Sequence, residues 1–198
     1  GIALLVTALV LGVTGVGLVV MSAATPTSPL TSYVPAGSFA YLEVRLDAPG
    51  DQRQNIGSVL STFPGFADQA NLGFKIDEAL DLLLGQAVPQ AGTFSRDIHP
   101  WLGDSIAAAG TRLPTGSDLE DGDGGVLVLV ATKDPAATRA YVRTYVAPGA
   151  PTTSYGGVEL VRLESDGTPV VVGVVENVLL AGDEASVQSA IDTRGAST

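Results

Sequence analysis

The sequence predicts an α+β protein in which one N-terminal transmembrane helix precedes a domain with a mainly antiparallel sheet. Three features support this fold class. The stretch Gly1–Met21 is apolar and carries no charge, and short apolar runs typical of strands recur from Val126 to Ala181. Two of these runs are joined across Glu176-Asn177, a connection too short for parallel strands. We expect about five or six strands, with roughly four helices packed largely on one face of the sheet.

The N-terminal stretch Gly1–Met21 has the length of a membrane span. At ~1.5 Å per residue it forms a helix of about 31 Å, close to the thickness of a bilayer's hydrocarbon core. The alternative is a signal peptide cleaved near Ser22-Ala23-Ala24, but the apolar core of a signal peptide runs only about 7–15 residues. The first basic residue after the stretch is Arg45. Since basic residues favour the cytoplasmic side, we expect the N-terminus inside and the domain on the extracytoplasmic side.

Small side chains recur along one side of this predicted helix. Ala8, Gly15 and Ser22 are spaced seven positions apart, and Gly12 lies between the first two. Small residues let helix backbones approach closely within lipid, where packing drives association. We expect this face to contact other transmembrane helices, from a second copy or from a larger membrane complex, while the remaining faces contact the lipid bilayer.

A polar, proline-bearing linker follows the helix over residues 22–37, and its composition predicts an extended, semi-stiff spacer. The remaining residues, 38–198, are expected to form one domain. Apolar and polar residues alternate over Phe39–Asp47, which predicts a half-buried strand. Helices are expected over Gln52–Thr62 and Ile76–Leu84, the second with its leucines on one face.

Strands dominate the rest of the domain. Ser105–Leu113 and the apolar run Val126–Thr132 are predicted strands, and Asp134 with Pro135 supplies the start of a helix to about Val146. A similar strand, Asp cap and helix recur at Asp183. Further strands are expected over Val158–Leu163, Val170–Val175 and Val178–Ala181, with a last helix to about Asp192. The predicted core includes Leu42, Val44, Val128, Val130, Val171, Leu179 and Leu180.

Composition excludes several classes of function. The net charge is −11 and the pI is near 4.2, and a surface this acidic repels phosphate backbones, so we expect no nucleic-acid partner. The chain has no cysteine. Disulfides, thiolate metal sites and a cysteine nucleophile are therefore excluded, and we expect no cofactor.

One serine and the single histidine are the residues that most resemble a hydrolytic motif. Ser105 lies in the run Gly103-Asp104-Ser105, a loose relative of a nucleophile elbow, and His99 precedes Pro100-Trp101. An elbow needs a sharp strand-to-helix turn, whereas Ser105 is predicted to begin a strand. We therefore expect His99 to be an ordinary surface residue, and the protein not to be an enzyme.

Four carboxylates in one loop are the candidate ligands for a metal ion. Calcium takes oxygen ligands from loops of this composition. The spacing departs from the EF-hand pattern, and a solvated loop between two strands is the alternative, since Gly and Asp build such loops readily. The candidate residues are Asp118, Glu120, Asp121 and Asp123.

Several blocks of the chain resemble one family. The run SYVPAGSFAYLEVRLDAPGDQRQNIGSVLSTFPGFADQA, followed by KIDEALDLLL, DIHPWLGDSIAAA and NVLLAGDEASVQSAID, is similar to the DUF3352 family of bacterial membrane-anchored proteins. The specific parts are Pro49–Arg53, Phe63–Phe66 and Pro100-Trp101. The resemblance implies a bacterial cell membrane, an N-terminal transmembrane helix and a longer external region, of which this chain is the first half. It implies no catalytic residue.

Together these features predict a non-catalytic accessory or scaffold subunit of a membrane assembly, which acts through protein–protein interaction. Two alternatives stay open. The protein is a subunit of a surface filament or layer with a pilin-like apolar stem, although residues 2–10 lack the glutamate of type IV pilins. Or its external domain binds a ligand such as calcium or cell-wall material.

Overall fold

The computed structural model of the chain describes residues 28–46, 72–87, 89–113, 125–165 and 168–196. Within these ranges, seven strands form one sheet, in which every neighbouring pair is antiparallel. The strands are β1 (Ala40–Arg45), β2 (Leu102–Gly110), β3 (Val126–Thr132), β4 (Thr152–Tyr155), β5 (Val158–Ser165), β6 (Thr168–Val175) and β7 (Val178–Gly182). Their order across the sheet is β1-β2-β3-β7-β6-β5-β4, so β1 and β4 lie at its two ends.

In the part of the chain that the structure describes, three α-helices and several short turns accompany the sheet: α1 (Leu72–Ala87), α2 (Pro135–Tyr141) and α3 (Glu184–Ala196), with single turns at Pro29–Tyr33, Pro89–Ala91, Phe94–Ile98 and Val142–Val146. The predicted caps are confirmed. The Asp134 side chain accepts from the backbone N–H groups of Ala136 and Ala137, and that of Asp183 accepts from the N–H of Ser186. Both satisfy donors that the first helical turn leaves without a partner.

Helices cover both faces of the sheet, so the prediction of helices largely on one face is wrong. The central strand β3 explains this, because its side chains are apolar on both sides. Leu127 and Leu129 pack with α3, whereas Val128 and Val130 pack with residues of α1 and α2. A strand that is apolar on both faces needs cover on both. We call the two sides the α3 face and the α1/α2 face.

The sheet has seven strands rather than about five or six, and β4 is the strand that the sequence did not reveal. It is short and polar, and most of it is exposed. Its hairpin with β5 turns through Gly156 and Gly157, whose φ angles of 56° and 78° suit glycine. The predicted hairpin between β6 and β7 is confirmed, with Glu176 at a φ of 47°.

The linker predicted over residues 22–37 is wrong from Ser28 onward, because this part of the chain packs into the domain. The Ser28 side chain accepts from the N–H of Leu30 and starts a 3-10 helix, Pro29–Tyr33. Leu30 is 0 % and Tyr33 is 3 % exposed, and both lie in the core on the α3 face. Burial of two large side chains fixes the segment, so residues 28–34 belong to the domain.

Most of the predicted core is confirmed, with one clear exception. Val130, Val171 and Leu180 are buried, and Val44, Val128 and Leu179 are half-buried. Leu42 is 57 % exposed, because it lies on β1 at the end of the sheet.

Three predicted segments lie outside the described residues: the anchor over residues 1–21, the helix over 52–62, and the acidic loop of residues 114–124. Among the residues that the structure does describe, no helix combines the length and the apolar character that a membrane crossing requires.

Candidate interaction surface

The serine and the histidine of the loose hydrolytic motif contact different parts of the fold. Ser105 lies within β2, is 2 % exposed, and donates its hydroxyl to Asp104 at 3.0 Å. The strand continues to Gly110, so the sharp turn of a nucleophile elbow does not form there. Nδ1 of His99 lies 3.1 Å from Asp77 on α1, and the exposed imidazole stacks on Phe94. His99 is a surface residue, as predicted.

Asp97 is the most fully engaged carboxylate of the described residues. One oxygen accepts from the N–H of Thr93 at 2.8 Å and from Arg96 at 3.0 Å, and the other accepts from the Tyr145 hydroxyl at 3.2 Å. Hydrogen bonds from Arg96 and from the Thr93 backbone hold the pKa of Asp97 below its ordinary value. This carboxylate therefore joins the turn at Phe94–Ile98 to the turn at Val142–Val146, which follows α2, and its acceptor capacity is taken up inside the domain.

An aromatic group lies beside Asp97. The centroid of Tyr141 is 5.1 Å from that of Trp101 and 5.3 Å from that of Tyr145. The indole N–H of Trp101 donates to the Asp97 carbonyl at 2.7 Å, and the hydroxyl of Tyr141 donates to the Ala91 carbonyl at 2.8 Å. Trp101 and Tyr141 are buried. These side chains form part of the core on the α1/α2 face.

A second polar cluster ties three distant segments together. Arg194 of α3 donates to both carboxylate oxygens of Glu176, and the Tyr33 hydroxyl donates to Glu176 at 3.2 Å. The guanidinium also lies 5.7 Å from the centre of the Tyr33 ring. The hydrogen bond from Arg194 lowers the pKa of Glu176, and burial raises the pKa of Tyr33. The cluster fixes the N-terminal turn against α3 and the β6–β7 hairpin.

Three of the large hydrophobic side chains that are exposed in the described residues lie at the β1 end of the sheet, and Leu82 and Leu113 are exposed elsewhere. In the described part of the chain, the exposed large hydrophobic residues include Phe39 at 51 %, Leu42 at 57 % and Val126 at 53 %. The register places Leu42 beside Ala108, and Ala40 beside Gly110, which in turn pairs with Val126. Paired residues share one face of a sheet. Leu42 and Val126 therefore point to the α1/α2 face, near its edge.

Gly110 brings Phe39 onto the same face. A Cβ atom at Gly110 would collide with the Phe39 ring, so the absence of a side chain there lets the ring lie directly on β2. Phe39, Leu42 and Val126 together form one apolar patch. We define the β1 edge surface as these three side chains together with the outer backbone edge of β1.

The opposite face of β1 is polar and lies where the chain enters the domain. The Tyr41 hydroxyl donates to Glu43 at 2.6 Å, and burial together with this hydrogen bond raises the pKa of Tyr41. The side chain of Ser28 lies near the Tyr41 hydroxyl. Nη2 of Arg45 lies 3.6 Å from Asp104, and both side chains are nearly half exposed. The N-terminal segment thus reaches the domain on the α3 face, beside β1.

Comparison with known proteins gives one match. A family model described as "Protein of unknown function (DUF3352)" matches residues 4–197, nearly the whole chain. The chain belongs to the DUF3352 family. Neither the curated proteins nor the solved structures provide a match.

Of the site residues predicted from the sequence of this DUF3352 chain, two groups lie outside the described residues. Among the residues that the structure describes, no group of three or more histidine and carboxylate side chains could hold a metal ion. The two groups of predicted site residues that lie outside the described residues are the helix-packing residues Ala8, Gly12, Gly15 and Ser22, and the calcium candidates Asp118, Glu120, Asp121 and Asp123.

The β1 edge surface of this DUF3352 chain was missed by sequence reasoning, which placed Leu42 in the core. The sequence did contain one signal that β1 is an edge strand. Glu43 and Arg45 put charges at alternate positions of a strand, a pattern typical of strands at the edge of a sheet. The position of β1 in the strand order, which exposes Leu42, depends on pairing with the distant β2 and has no local signature.

Proposed function

We propose that this chain is a single-pass, membrane-anchored interaction module, a non-catalytic accessory or scaffold subunit of a bacterial membrane assembly. The apolar stretch Gly1–Met21 is its proposed anchor. The absence of basic residues before Arg45 supports a domain on the extracytoplasmic side. The β1 edge surface is the proposed docking site for the protein partner.

The observation that carries this proposal is the group of three exposed apolar side chains at the β1 edge surface. Phe39, Leu42 and Val126 are each more than half exposed and lie together. Contiguous exposed apolar area is typical of interaction sites. The described polar clusters around Asp97 and Glu176 are instead engaged in contacts within the domain.

The two ends of the sheet differ in a way that favours β1 as the docking edge. β4 is the shorter end strand, with the polar sequence TTSY and an exposed surface. Short, polar edges are a common protection against pairing with other chains. β1 is longer and is flanked by the apolar patch.

A matched pair of substitutions tests the proposal in the full chain, extracted from bacterial membranes in a mild detergent. Leu42→Glu places a charge on the β1 edge surface, and Thr153→Glu places the same charge on β4. We expect Leu42→Glu to lower the recovery of co-purifying protein about tenfold, because a charge in a docking site must be desolvated on binding. Thr153→Glu should leave recovery unchanged.

Both positions are exposed, so neither change should alter the unfolding temperature of the protein by more than a few degrees. Equal recovery with both variants would contradict the proposed docking site. Release of the unmodified chain from the membrane by alkaline carbonate would contradict the proposed anchor.

A further inference from the structure

The end strand β4 presents hydroxyl groups that the fold does not use. Its first three residues, Thr152, Thr153 and Ser154, are all exposed. Among the contacts of the described residues, none of these three hydroxyls takes part in a hydrogen bond. Other hydroxyls of the domain are engaged within it, as when Ser186 donates to Asp183 at 2.6 Å. The β4 hydroxyls are therefore accessible to a reagent or an enzyme from solution.

Proline residues precede these hydroxyls and define the local backbone. Pro151 lies directly before β4, and Pro148 lies three residues earlier. Because proline has a fixed φ and disfavours a helical conformation in the residue before it, the chain enters β4 extended. The Pro151 carbonyl accepts from the N–H of Arg162 on β5 at 3.0 Å, which fixes this entry to the sheet. Serine and threonine mixed with proline are typical of segments that carry O-linked sugars.

The strand geometry of β4 divides its hydroxyls between the two faces of the sheet. Because the Pro151 carbonyl bonds to β5 and backbone groups alternate between the two sides of a strand, those of Thr152 and Ser154 point to the outer edge. Thr152 pairs with Val161, so its side chain lies on the α1/α2 face, and that of Ser154 lies on the same face. Thr153 points to the α3 face. An enzyme that pairs with this edge can hold Thr152 and Ser154 together.

The neighbouring side chains favour Thr152 over Thr153 as the site of a bulky addition. The next residue of the strand on the same face as Thr152 is Ser154, whose side chain is small. The corresponding neighbour of Thr153 is Tyr155, and the Tyr155 hydroxyl donates to Asp192 of α3 at 2.8 Å. A ring and a carboxylate thus lie on the side of Thr153, whereas the side of Thr152 has more space.

The charge around β4 differs from that of the chain as a whole. The net charge of the protein is −11, whereas residues 144–158 contain no charged side chain. The two charged residues that flank this stretch, Arg143 and Glu159, form an ion pair with each other at 2.5 Å. Since carboxylates repel phosphate groups, a locally neutral segment favours the approach of a sugar that is activated by a phosphate.

From these observations we propose that Thr152, with Ser154 beside it, is an acceptor site for an O-linked sugar. The hydroxyl oxygen attacks the anomeric carbon of a sugar carried on a phosphate group, and the bond from that carbon to the phosphate oxygen breaks. The phosphate leaves with the electron pair of that bond, and the hydroxyl proton passes to a base of the transferase. A sugar at this position would also keep other strands from pairing with β4. The site lies at the opposite end of the sheet from the β1 edge surface and goes beyond the proposed docking function.

A single tryptic peptide of the full chain, purified from the bacterium that encodes it, tests this proposal. Cleavage after Arg143 and Arg162 releases residues 144–162. The serine and threonine residues of this peptide are Thr144, Thr152, Thr153 and Ser154. Thr144 is exposed as well, but it lies in the helical turn Val142–Val146, so it controls for exposure alone. We expect fragmentation mass spectrometry to find this peptide with a sugar on Thr152 or Ser154.

Two pairs of substitutions at exposed positions assign the acceptor within the same peptide. The pair Thr152→Val and Ser154→Ala should remove the sugar-bearing form of the peptide. The pair Thr144→Val and Thr153→Val should leave that form at the level of the unsubstituted chain. A peptide that occurs only without a sugar, a sugar on Thr144 or Thr153, or a phosphate in place of the sugar would each overturn the proposal.

Discussion

At the scale of single residues, Asp97 is the carboxylate whose removal tests the internal polar contacts most clearly. Asp97→Asn removes the charge that Arg96, the Thr93 N–H and Tyr145 stabilise. We expect a loss of about 1–3 kcal/mol in the free energy of unfolding at pH 7. The fluorescence of Trp101, the single tryptophan, reports unfolding, because this residue is buried beside Asp97.

The difference in the free energy of unfolding between wild type and Asp97→Asn should depend on pH. The pKa of Asp97 is lower in the folded protein than its ordinary value of 3.8. The charge of Asp97 therefore makes its full contribution to stability above pH 3.8. This contribution is lost as the pH falls through the lower pKa of the folded state. The difference between wild type and Asp97→Asn should shrink between pH 5 and acid conditions near about pH 2. If the stability difference between the two proteins stays constant over this range, the prediction is wrong. Glu164→Gln, an exposed change on β5, is the control.

At the scale of elements, the N-terminal 3-10 helix is predicted to belong to the folded core. Leu30→Ala removes a side chain that is 0 % exposed and packs on the α3 face. We expect a cost of about 2–5 kcal/mol in the free energy of unfolding, since the change leaves a cavity. Leu42→Ala makes the same chemical change at a position that is 57 % exposed, and should cost less than about 1 kcal/mol.

Thermal unfolding of the two leucine variants, measured side by side, checks this prediction. If Leu30→Ala and Leu42→Ala were equally mild, residues 28–34 would be a dispensable spacer rather than part of the domain.

Elements whose signals are local were predictable from the sequence. The bounds of β3 match the apolar run Val126–Thr132, and Asp134 and Asp183 cap the helices that their spacing predicted. The faces occupied by those helices were not predictable. Two similar units of strand, cap and helix lie on neighbouring strands, yet α2 packs on one face of the sheet and α3 on the other. The side of a sheet that a helix covers depends on distant contacts rather than on its own sequence.

Whole-molecule properties were predicted less well than single elements. Antiparallel pairing followed from the short hairpin at Glu176, but the strand order did not, and it is this order that exposes Leu42 and creates the β1 edge surface. β4 was missed because its polar sequence has no apolar face. The turn at Pro29–Tyr33 resembles a linker in composition, and only the burial of Leu30 and Tyr33 assigns it to the domain.

At the scale of the whole molecule, a proposed membrane anchor precedes a domain whose exposed apolar edge lies beside the N-terminal segment Ser28–Tyr33. Ser28 lies near Tyr41 on β1, and the proposed anchor ends at Met21, a few residues earlier. With the proposed anchor, the docking edge would therefore lie close to the membrane surface.

The most direct test of this account is the side of the membrane on which the domain lies. Thr153→Cys introduces a single thiol on the exposed strand β4, in a chain without other cysteines. A maleimide that cannot cross membranes should label this thiol in intact bacterial spheroplasts as completely as after lysis, with the labelled chain retained in the membrane fraction. Labelling only after lysis, or recovery of the chain in the soluble fraction, would contradict an anchored extracytoplasmic module.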